Sequence, residues 1–306
     1  MTLTNFPNGV SSFGIPQISN GERSGGGSVF GKTYFVDPTN GVDGNKGTSP
    51  DKALATLTRA FVLMKDNDTV ICAPGDYTGN HVTPLNSVAP FCSVIGMQAT
   101  ALGLGPFAAA TDTASPILSI RARGWRVSGF EFDGNAVTES VLATTSGTSN
   151  ANFLQMDHCL FTGGSVAGID YFGAPTFSAL YHNGFTQMTG GSTILCSDAS
   201  TDTPRSGHIY GNRFWENINH IAMNPRGFKD TVIEKNTFML DGVSRDALVM
   251  LDTRGGGGNQ IIDNYFDITQ AQFTDDAATA FIRTAATDYG AGNHLADGEQ
   301  NALISV

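Results

Sequence analysis

Two acidic residues in the second half of the chain stand at equivalent positions of a repeated sequence and could serve as paired catalytic carboxyl groups. Asp157 and Glu234 each follow an apolar residue by one position. If the repeats are stacked coils, the two residues lie three coils apart, or about 14 Å at the usual strand spacing. Glycoside hydrolysis needs its two carboxyl groups roughly 5 to 9.5 Å apart. This pair is therefore not predicted to hydrolyse a glycoside.

A second acidic pair, Asp198 and Asp252, follows apolar runs that lie two repeats apart. Stacked coils would separate these residues by about 9.6 Å, at the upper edge of the roughly 6.5 to 9.5 Å spacing of an inverting glycosidase. The same column would hold Asn224 and Arg283. A register error of one residue would turn a side chain to the opposite face of its strand. The column is therefore either catalytic or a set of polar residues that close their strands.

His158 and His182 occupy the same repeat position one coil apart, as a metal-binding or proton-transferring pair would. The equivalent positions of the other repeats supply no third ligand, so the sequence favours a stacked structural pair. Four cysteines lie far apart in the sequence without metal-ligand spacing, which indicates buried thiols. The sequence thus predicts neither a metal site nor a cofactor.

These candidate residues are placed by a repeat in which an apolar residue, two variable residues, Asn, one variable residue and Phe follow one another. Four segments match it fully, and two earlier segments carry Phe130 or Cys159 in the Asn position. The terminal phenylalanines recur every 24 to 29 residues, at Phe132, Phe161, Phe185, Phe214, Phe238 and Phe266. Such a period indicates a solenoid. A further apolar run between successive units predicts two or three short strands in each coil.

Composition excludes several classes of protein. The 306 residues carry a formal net charge of −11, with 15% charged and 40% apolar residues. This apolar content argues against disorder, and the lack of a Lys/Arg block argues against nucleic acid or an anionic membrane as a partner. The chain also shows no secretion signal or spanning segment. We therefore expect synthesis in a bacterial cytoplasm.

The N-terminal part of the chain differs from the repeats. Residues 1–28 are predicted to be an extended arm with a Gly-rich joint, because apolar residues alternate there with Pro, Gly and Asn without strand or helix periodicity. Residues 29–287 are predicted to be the solenoid, with a helix near 50–65 that begins at Ser49 and Pro50. The tail, 288–306, is predicted to cover the open edge of the last coil.

The segment from Val36-Asp37-Pro38 to Ala73-Pro74-Gly75-Asp76-Tyr77, together with the repeats, resembles the pectate-lyase-like right-handed parallel β-helix proteins. The resemblance covers roughly residues 33–285. It implies an all-β, single-stranded parallel β-helix with an N-terminal capping helix. The catalytic motifs of the polygalacturonase and calcium-dependent lyase branches are absent from the sequence. The first residues, from Thr4 to Pro16, resemble the start of bacteriophage proteins that attach to the head.

Two hypotheses for function follow from these resemblances. The first is a non-catalytic capsid decoration or cement protein on the virion, a homotrimer that binds the major capsid protein through Phe6, Pro7, Asn8, Val10, Phe13, Ile15 and Pro16. The alternative is a tailspike or depolymerase that binds or cleaves a host surface glycan, as a polysaccharide lyase or glycoside hydrolase, with Asp198 and Asp252 as its catalytic pair.

Overall fold

Short parallel strands dominate the structure. The computed structural model describes residues 10–12, 15–17, 31–97, 106–109, 115–134, 139–164, 166–173, 175–188, 192–197, 204–217, 219–222, 227–239, 249–253, 255–268, 282–296, 298 and 300–301. Within these residues, three sheets run the length of a parallel β-solenoid of the right-handed type.

Sheet 1 contains ten parallel strands. In chain order they are Thr33–Val36, Thr69–Cys72, Ser93–Gly96, Arg126–Ser128, Gln155–Asp157, Ala179–Tyr181, His208–Tyr210, Val232–Glu234, Gln260–Ile262 and Tyr289–Ala291. In the central strands of three residues, the middle residue is apolar and points into the core, so the first and third residues face outward.

Sheets 2 and 3 complete each coil. Sheet 2 comprises Gly75–Asp76, Pro106–Ala109, Glu131–Asp133, Leu160–Gly164, Gly184–Met188, Arg213–Trp215, Thr237–Phe238, Tyr265–Phe266, Asn293–Leu295 and Gln300–Asn301. Sheet 3 comprises His81–Val82, Leu118–Ile120, Glu139–Thr144, Ala167–Phe172, Ser192–Leu195, Asn219–Ala222, Val249–Asp252 and Ile282–Arg283. From Thr69–Cys72 to Ile282–Arg283, successive strands belong to sheet 1, sheet 2 and sheet 3 in turn.

The repeated phenylalanines form a continuous stack inside the solenoid. From Phe132 to Phe266 every pair in successive coils is in register. Neighbouring ring centroids lie 4.8 to 5.2 Å apart with nearly parallel planes. All six side chains are buried. The repeat read from the sequence is therefore confirmed as the coil-to-coil register of the fold.

The asparagines of the repeat form a buried ladder beside this stack. The ladder runs through Asn183, Asn212, Asn236, Asn264 and Asn293. Each Oδ1 accepts the backbone N–H of the residue at the same position one coil earlier, at 2.9 to 3.0 Å. Each Nδ2 donates to a backbone carbonyl of the preceding coil. The ladder pairs backbone groups that the bend between sheets 1 and 2 would otherwise leave buried and unpaired.

The N-terminal end of the solenoid is covered by a helix that is shorter than predicted. Pro50–Lys52 is a single 3-10 turn, and the α-helix is Leu57–Leu63. Its N-cap is Thr56, whose side chain accepts the N–H of Arg59, and not Ser49. The helix cannot begin earlier because Leu54 forms a parallel bridge with Val36 and is extended there. Leu57, Ala60 and Phe61 of the helix are buried against the first coils.

The C-terminal end continues past the predicted solenoid boundary at residue 287. Tyr289–Ala291 and Asn293–Leu295 form another coil in register with the preceding one. In this coil Gly290 replaces the aliphatic residue of the repeat and Leu295 replaces the Phe. The coil therefore does not match the sequence pattern. Gln300–Asn301 then pairs antiparallel with Asn293–Leu295 at the end of sheet 2.

The described part of the N-terminal arm has regular structure. Val10–Ser12 and Ile15–Gln17 form an antiparallel pair, which is a sheet of its own. The sequence predicted an arm without strands here, because the segment lacks hydrophobic periodicity. Two residues separate the segments, and local antiparallel pairing satisfies their backbone groups without requiring such periodicity.

Candidate active site on sheet 1

The outer face of sheet 1 carries a cluster of ionisable and aromatic side chains around an open depression of about 440 Å³. We define the sheet 1 cluster as Arg126, Asp157, His158, Tyr181, His182, His208 and Tyr210. These residues come from four successive coils. They meet because the first and third residues of each short strand, and the residue of the following turn, stand above one another along the solenoid.

Asp157 lies at the centre of four hydrogen bonds. Its carboxylate accepts Nε and Nη2 of Arg126 at 2.7 and 3.0 Å, the hydroxyl of Ser128 at 2.6 Å, and Nδ1 of His158 at 2.9 Å. Burial acts to raise the pKa of Asp157, but the hydrogen bonds from Arg126, Ser128 and His158 outweigh it and lower the pKa to about 2. Asp157 is therefore ionised at neutral pH and cannot serve there as a general acid.

His158 and His182 are presented by the sharp turn between sheets 1 and 2. Both residues have a left-handed backbone conformation, with φ of 53° and 54°. This turn position is left-handed in other coils too, at Gly129, Gly211, Lys235, Asp263 and Gly292. Because Asp157 is ionised and can only accept, the proton of His158 lies on Nδ1. The two imidazole centroids are 5.6 Å apart, so the pair is adjacent as the repeat predicted.

A second carboxylate–imidazole pair lies further along the same face. His208 Nε2 and Glu234 Oε1 are 2.9 Å apart, and their side chains are 37% and 20% exposed. Tyr181 and Tyr210 lie between this pair and Asp157. The Tyr181 ring packs edge-on to His208, with centroids 5.4 Å apart, and the Tyr210 ring packs edge-on to His182 at 5.2 Å. The cluster is therefore one continuous contact network.

This arrangement suits proton transfer better than displacement by a carboxylate. Asp157 and Glu234 belong to one column, three coils apart, as the sequence predicted. Each is hydrogen-bonded to an imidazole. Imidazoles accept or donate a proton near neutral pH, and tyrosine hydroxyls can do either. The cluster therefore offers candidate bases and acids side by side, without a closely spaced carboxyl pair.

Of the predicted acidic pair, the structure describes Asp252 alone. Asp252 is buried and belongs to sheet 3, so it is not part of the sheet 1 cluster. Asp198 lies outside the described residues. The register of sheet 3 aligns Asp252 with Ala222 and Leu195, whereas the sequence predicted Asn224 and Asp198 at these positions. The backbone of Arg283 is aligned with that of Asp252, as predicted. Loops of unequal length between the strands displaced the alignment of this column.

The predicted capsid-binding residues provide no side-chain geometry. Phe6, Pro7, Asn8 and Phe13 lie outside the described residues. For Val10, Ile15 and Pro16 the structure gives the backbone pairing alone. Binding of a capsid protein through these residues stays a prediction.

Sequence reasoning missed Arg126, His208 and the two tyrosines as members of a site. The sequence places Asp157 and Glu234 in one column, but at a distance that excludes them as a carboxyl pair. A signal was present in the other outward column. The first residues of successive sheet 1 strands, Arg126, Gln155, Ala179 and His208, share one face with that column. The first-residue and third-residue columns of sheet 1, taken together, predict the cluster.

Comparison with solved structures shows the fold. The chain is similar to an alginate lyase from Paenibacillus sp. str. FPU-7, with a TM-score of 0.58 and 15% identity over 86% of this chain and 87% of that chain. It is also similar to the pectate lyase Pel9A, with a TM-score of 0.58 and 13% identity over 87% and 80% of the two chains. A pectin methylesterase from Aspergillus niger gives a TM-score of 0.53 and 13% identity over 90% of each chain.

These likenesses establish a parallel β-solenoid with pectate-lyase-like structural neighbours, as the sequence resemblance implied. No known family model matches the chain. No curated protein matches it either. We therefore infer the function from the geometry of the site.

Two features are absent from the described part of the structure. Over the described ranges, no helix combines the length and apolarity needed to cross a bilayer. No set of three His, Cys, Asp or Glu side chains in that part of the chain is arranged to hold a metal ion.

Proposed function

We propose that the outer face of sheet 1 binds an anionic polysaccharide and cleaves it by β-elimination. The observation that carries this proposal is the Asp157–His158 pair, held by Arg126 and Ser128 beside His182, Tyr181 and Tyr210. The proposal develops the polysaccharide-active alternative that the sequence offered. It also fits two of the structural neighbours with this fold, which are lyases of alginate and pectate.

Beta-elimination suits the residues present. A base removes the proton next to the uronate carboxylate, the glycosidic oxygen leaves with the bonding electrons, an acid protonates that oxygen, and a carbon–carbon double bond forms. The reaction thus needs a base, an acid and a cation near the carboxylate. It does not need two carboxyl groups at glycosidase spacing.

We assign roles to four residues of the sheet 1 cluster. His158 is the base, because Asp157 fixes its ring through Nδ1 and leaves Nε2 as the basic nitrogen. Asp157 is a positioning residue. Tyr181 stands one coil from Asp157 in the same column and is the acid. Arg126 binds the uronate carboxylate, since a guanidinium has five donors and two of them bond to Asp157.

The experiment follows the ultraviolet absorbance of unsaturated uronate ends in digests of alginate, polygalacturonate and hyaluronate. We expect absorbance to rise with at least one of the three polymers. His158→Ala is expected to lower the rate roughly a hundredfold or more, in the range of a lost general base. His294→Ala replaces an exposed histidine of sheet 2 and serves as the matched control, with an unchanged rate. An active His158→Ala enzyme, or no unsaturated product from any polymer, would refute the proposal.

A further inference from the structure

The turns that precede eight of the ten sheet 1 strands carry an unusual row of residues. One residue per coil is left-handed there: Asn67, Phe91, Gly124, Phe153, Phe177, Ser206, Asp230 and Gly258. Backbone hydrogen bonds connect successive turns, as from Phe153 N to Thr176 O and from Phe177 N to Arg205 O. Gly, Asn and Asp are the residues that tolerate this conformation, whereas an aromatic residue there is strained. Three members of the row are nevertheless phenylalanine.

These three phenylalanines are exposed to solvent and do not belong to the core. Their exposed fractions are 46% for Phe91, 45% for Phe153 and 52% for Phe177. The Phe153 and Phe177 rings stack with centroids 5.0 Å apart and planes 6° from parallel. The Phe91 ring lies over Gly124, where an added Cβ would stand 2.2 Å from it. We call this surface, from Phe91 to Phe177, the phenylalanine strip. It spans four successive coils.

Positive charge accompanies the strip. The Arg123 guanidinium lies 5.1 Å from the centroid of Phe91. Thr176, Arg205 and Lys229 are joined coil to coil by parallel bridges in the position just before the left-handed residue. An aromatic surface edged by Arg and Lys complements a ligand that has both apolar C–H faces and carboxylates. Uronate sugars combine these two features.

The strip lies across sheet 1 from the acid–base residues. Phe153 precedes the strand Gln155–Asp157, and His158 follows it, so one short strand connects the two surfaces. We infer that the phenylalanine strip is a second carbohydrate-binding surface, which holds the anionic polysaccharide outside the sheet 1 cluster. This inference rests on the proposed function for the identity of the polymer. A long polymer can engage both surfaces and gains avidity, whereas a short oligosaccharide engages the cluster alone.

The test compares wild-type protein with the double variant Phe153→Asn, Phe177→Asn. Asn relieves the left-handed strain, so we expect an unchanged or higher Tm. A polymer that binds the protein retains it in native gels containing alginate, polygalacturonate or hyaluronate, so this retention reports polymer binding. We expect polymer binding to weaken roughly tenfold or more in the double variant. The rate on a uronate trisaccharide is expected to stay within about twofold of wild type. Tyr289→Asn removes another exposed aromatic residue of sheet 1, 62% exposed, and is the control with unchanged retention.

The outcomes separate this inference from the proposed function. Unchanged polymer retention in the double variant would overturn the inference. A lower Tm with unchanged retention would also overturn it, because the phenylalanines would then stabilise the fold without binding the polymer. Equal losses of retention and trisaccharide cleavage would also overturn it, because the strip would then belong to the cluster. Retention that depends on the phenylalanines, without cleavage of any substrate by the wild type, would support the strip and refute the proposed lyase.

Discussion

At the scale of single residues, the Asp157 carboxylate lies where donors from two coils converge. Arg126 and Ser128 come from one coil and His158 from the next, so the hydrogen bonds join adjacent coils as well as orienting the imidazole. Such charge-assisted hydrogen bonds are stronger than neutral ones. The same contacts therefore serve both the stability of the solenoid and the geometry of the cluster.

Replacing Asp157 is expected to give a pH-dependent loss of stability. The folded-state pKa is lowered from 3.8 to about 2, so ionised Asp157 stabilises the fold above pH 3.8, and this contribution disappears as the pH falls towards 2. Asp157→Asn should lower the free energy of unfolding at pH 7 by about 1 to 2 kcal/mol, after allowance for partial solvent screening. Urea unfolding at pH 7 and near pH 2 measures this difference. If the difference in free energy of unfolding between wild type and variant were the same at both pH values, the stabilising role of ionised Asp157 would be contradicted.

Gly211 provides a second test at this scale, because it leaves room for the His182 ring. Gly211 has φ of 64°, and an added Cβ would stand 2.7 Å from Nδ1 of His182. His182 packs beside the proposed base His158, with ring centroids 5.6 Å apart, and we propose that it positions that ring. We therefore expect Gly211→Ala to displace the His182 ring and reduce the rate of cleavage about tenfold, besides a loss of about 1 kcal/mol from backbone strain. Gly292→Ala is the matched control, since Gly292 occupies the same turn position with φ of 65° beside Asp263. Equal effects of the two substitutions on cleavage would refute a role for His182.

At the scale of the elements, the asparagine ladder fixes the bend from sheet 1 to sheet 2. Asn236 accepts from the backbone N–H and Nδ2 of Asn212 and donates to Ile209 and Asn264. The bend determines where the preceding turn residue projects. The buried ladder therefore supports the positions of His158 and His182 on the surface.

Removing one member of the ladder should be costly. Asn236→Ala leaves the donors of Asn212 and the Ile209 carbonyl without their buried partner, and we expect it to lower the free energy of unfolding by about 2 to 4 kcal/mol. Gln260→Ala, at an exposed position of sheet 1, is the control with a change below about 0.5 kcal/mol. Thermal and urea unfolding of the two variants provide the comparison. Similar stability of both variants would show that the ladder does not support the bend.

The sequence predicted the inward-facing part of these elements and not the outward-facing cluster. Apolar, Asn and Phe positions repeat because each must stack on its counterpart, which makes the register of sheets 1 and 2 readable. Arg126 and Asp157 are 31 residues apart and meet only through stacking, with no periodic constraint on their identity. Sheet 3 follows loops of unequal length, so its column containing Asp252 could not be aligned from sequence.

At the scale of the whole molecule, the protein carries a net charge of −11, although the proposed ligand is anionic. Binding of such a ligand must therefore be confined to surfaces where cations are concentrated. Arg123, Arg205 and Lys229 along the phenylalanine strip supply such a surface on one side of the solenoid. In the sheet 1 cluster, Arg126 has donors beyond the two that bond to Asp157. We therefore expect the polysaccharide to bind on this side of the solenoid.

The N-terminal segment can be tested separately from this side. The strands Val10–Ser12 and Ile15–Gln17 pair with one another and form a separate sheet. We expect deletion of residues 1–28 to leave Tm and polysaccharide cleavage unchanged. The predicted attachment to a phage capsid requires the same deletion to abolish co-sedimentation with phage heads. Continued attachment of the shortened protein would contradict the capsid-binding prediction, and a lower Tm would show that the segment stabilises the solenoid.

Cleavage by β-elimination is tested by mass spectrometry of the products released from uronate polymers in water enriched in heavy oxygen. Beta-elimination breaks the glycosidic bond without adding water, so we predict unsaturated oligosaccharides that contain no solvent oxygen. Saturated oligosaccharides carrying one heavy oxygen would establish hydrolysis and contradict the assignment of the sheet 1 cluster. Intact polymer after incubation with the wild-type protein would contradict the enzymatic account as a whole.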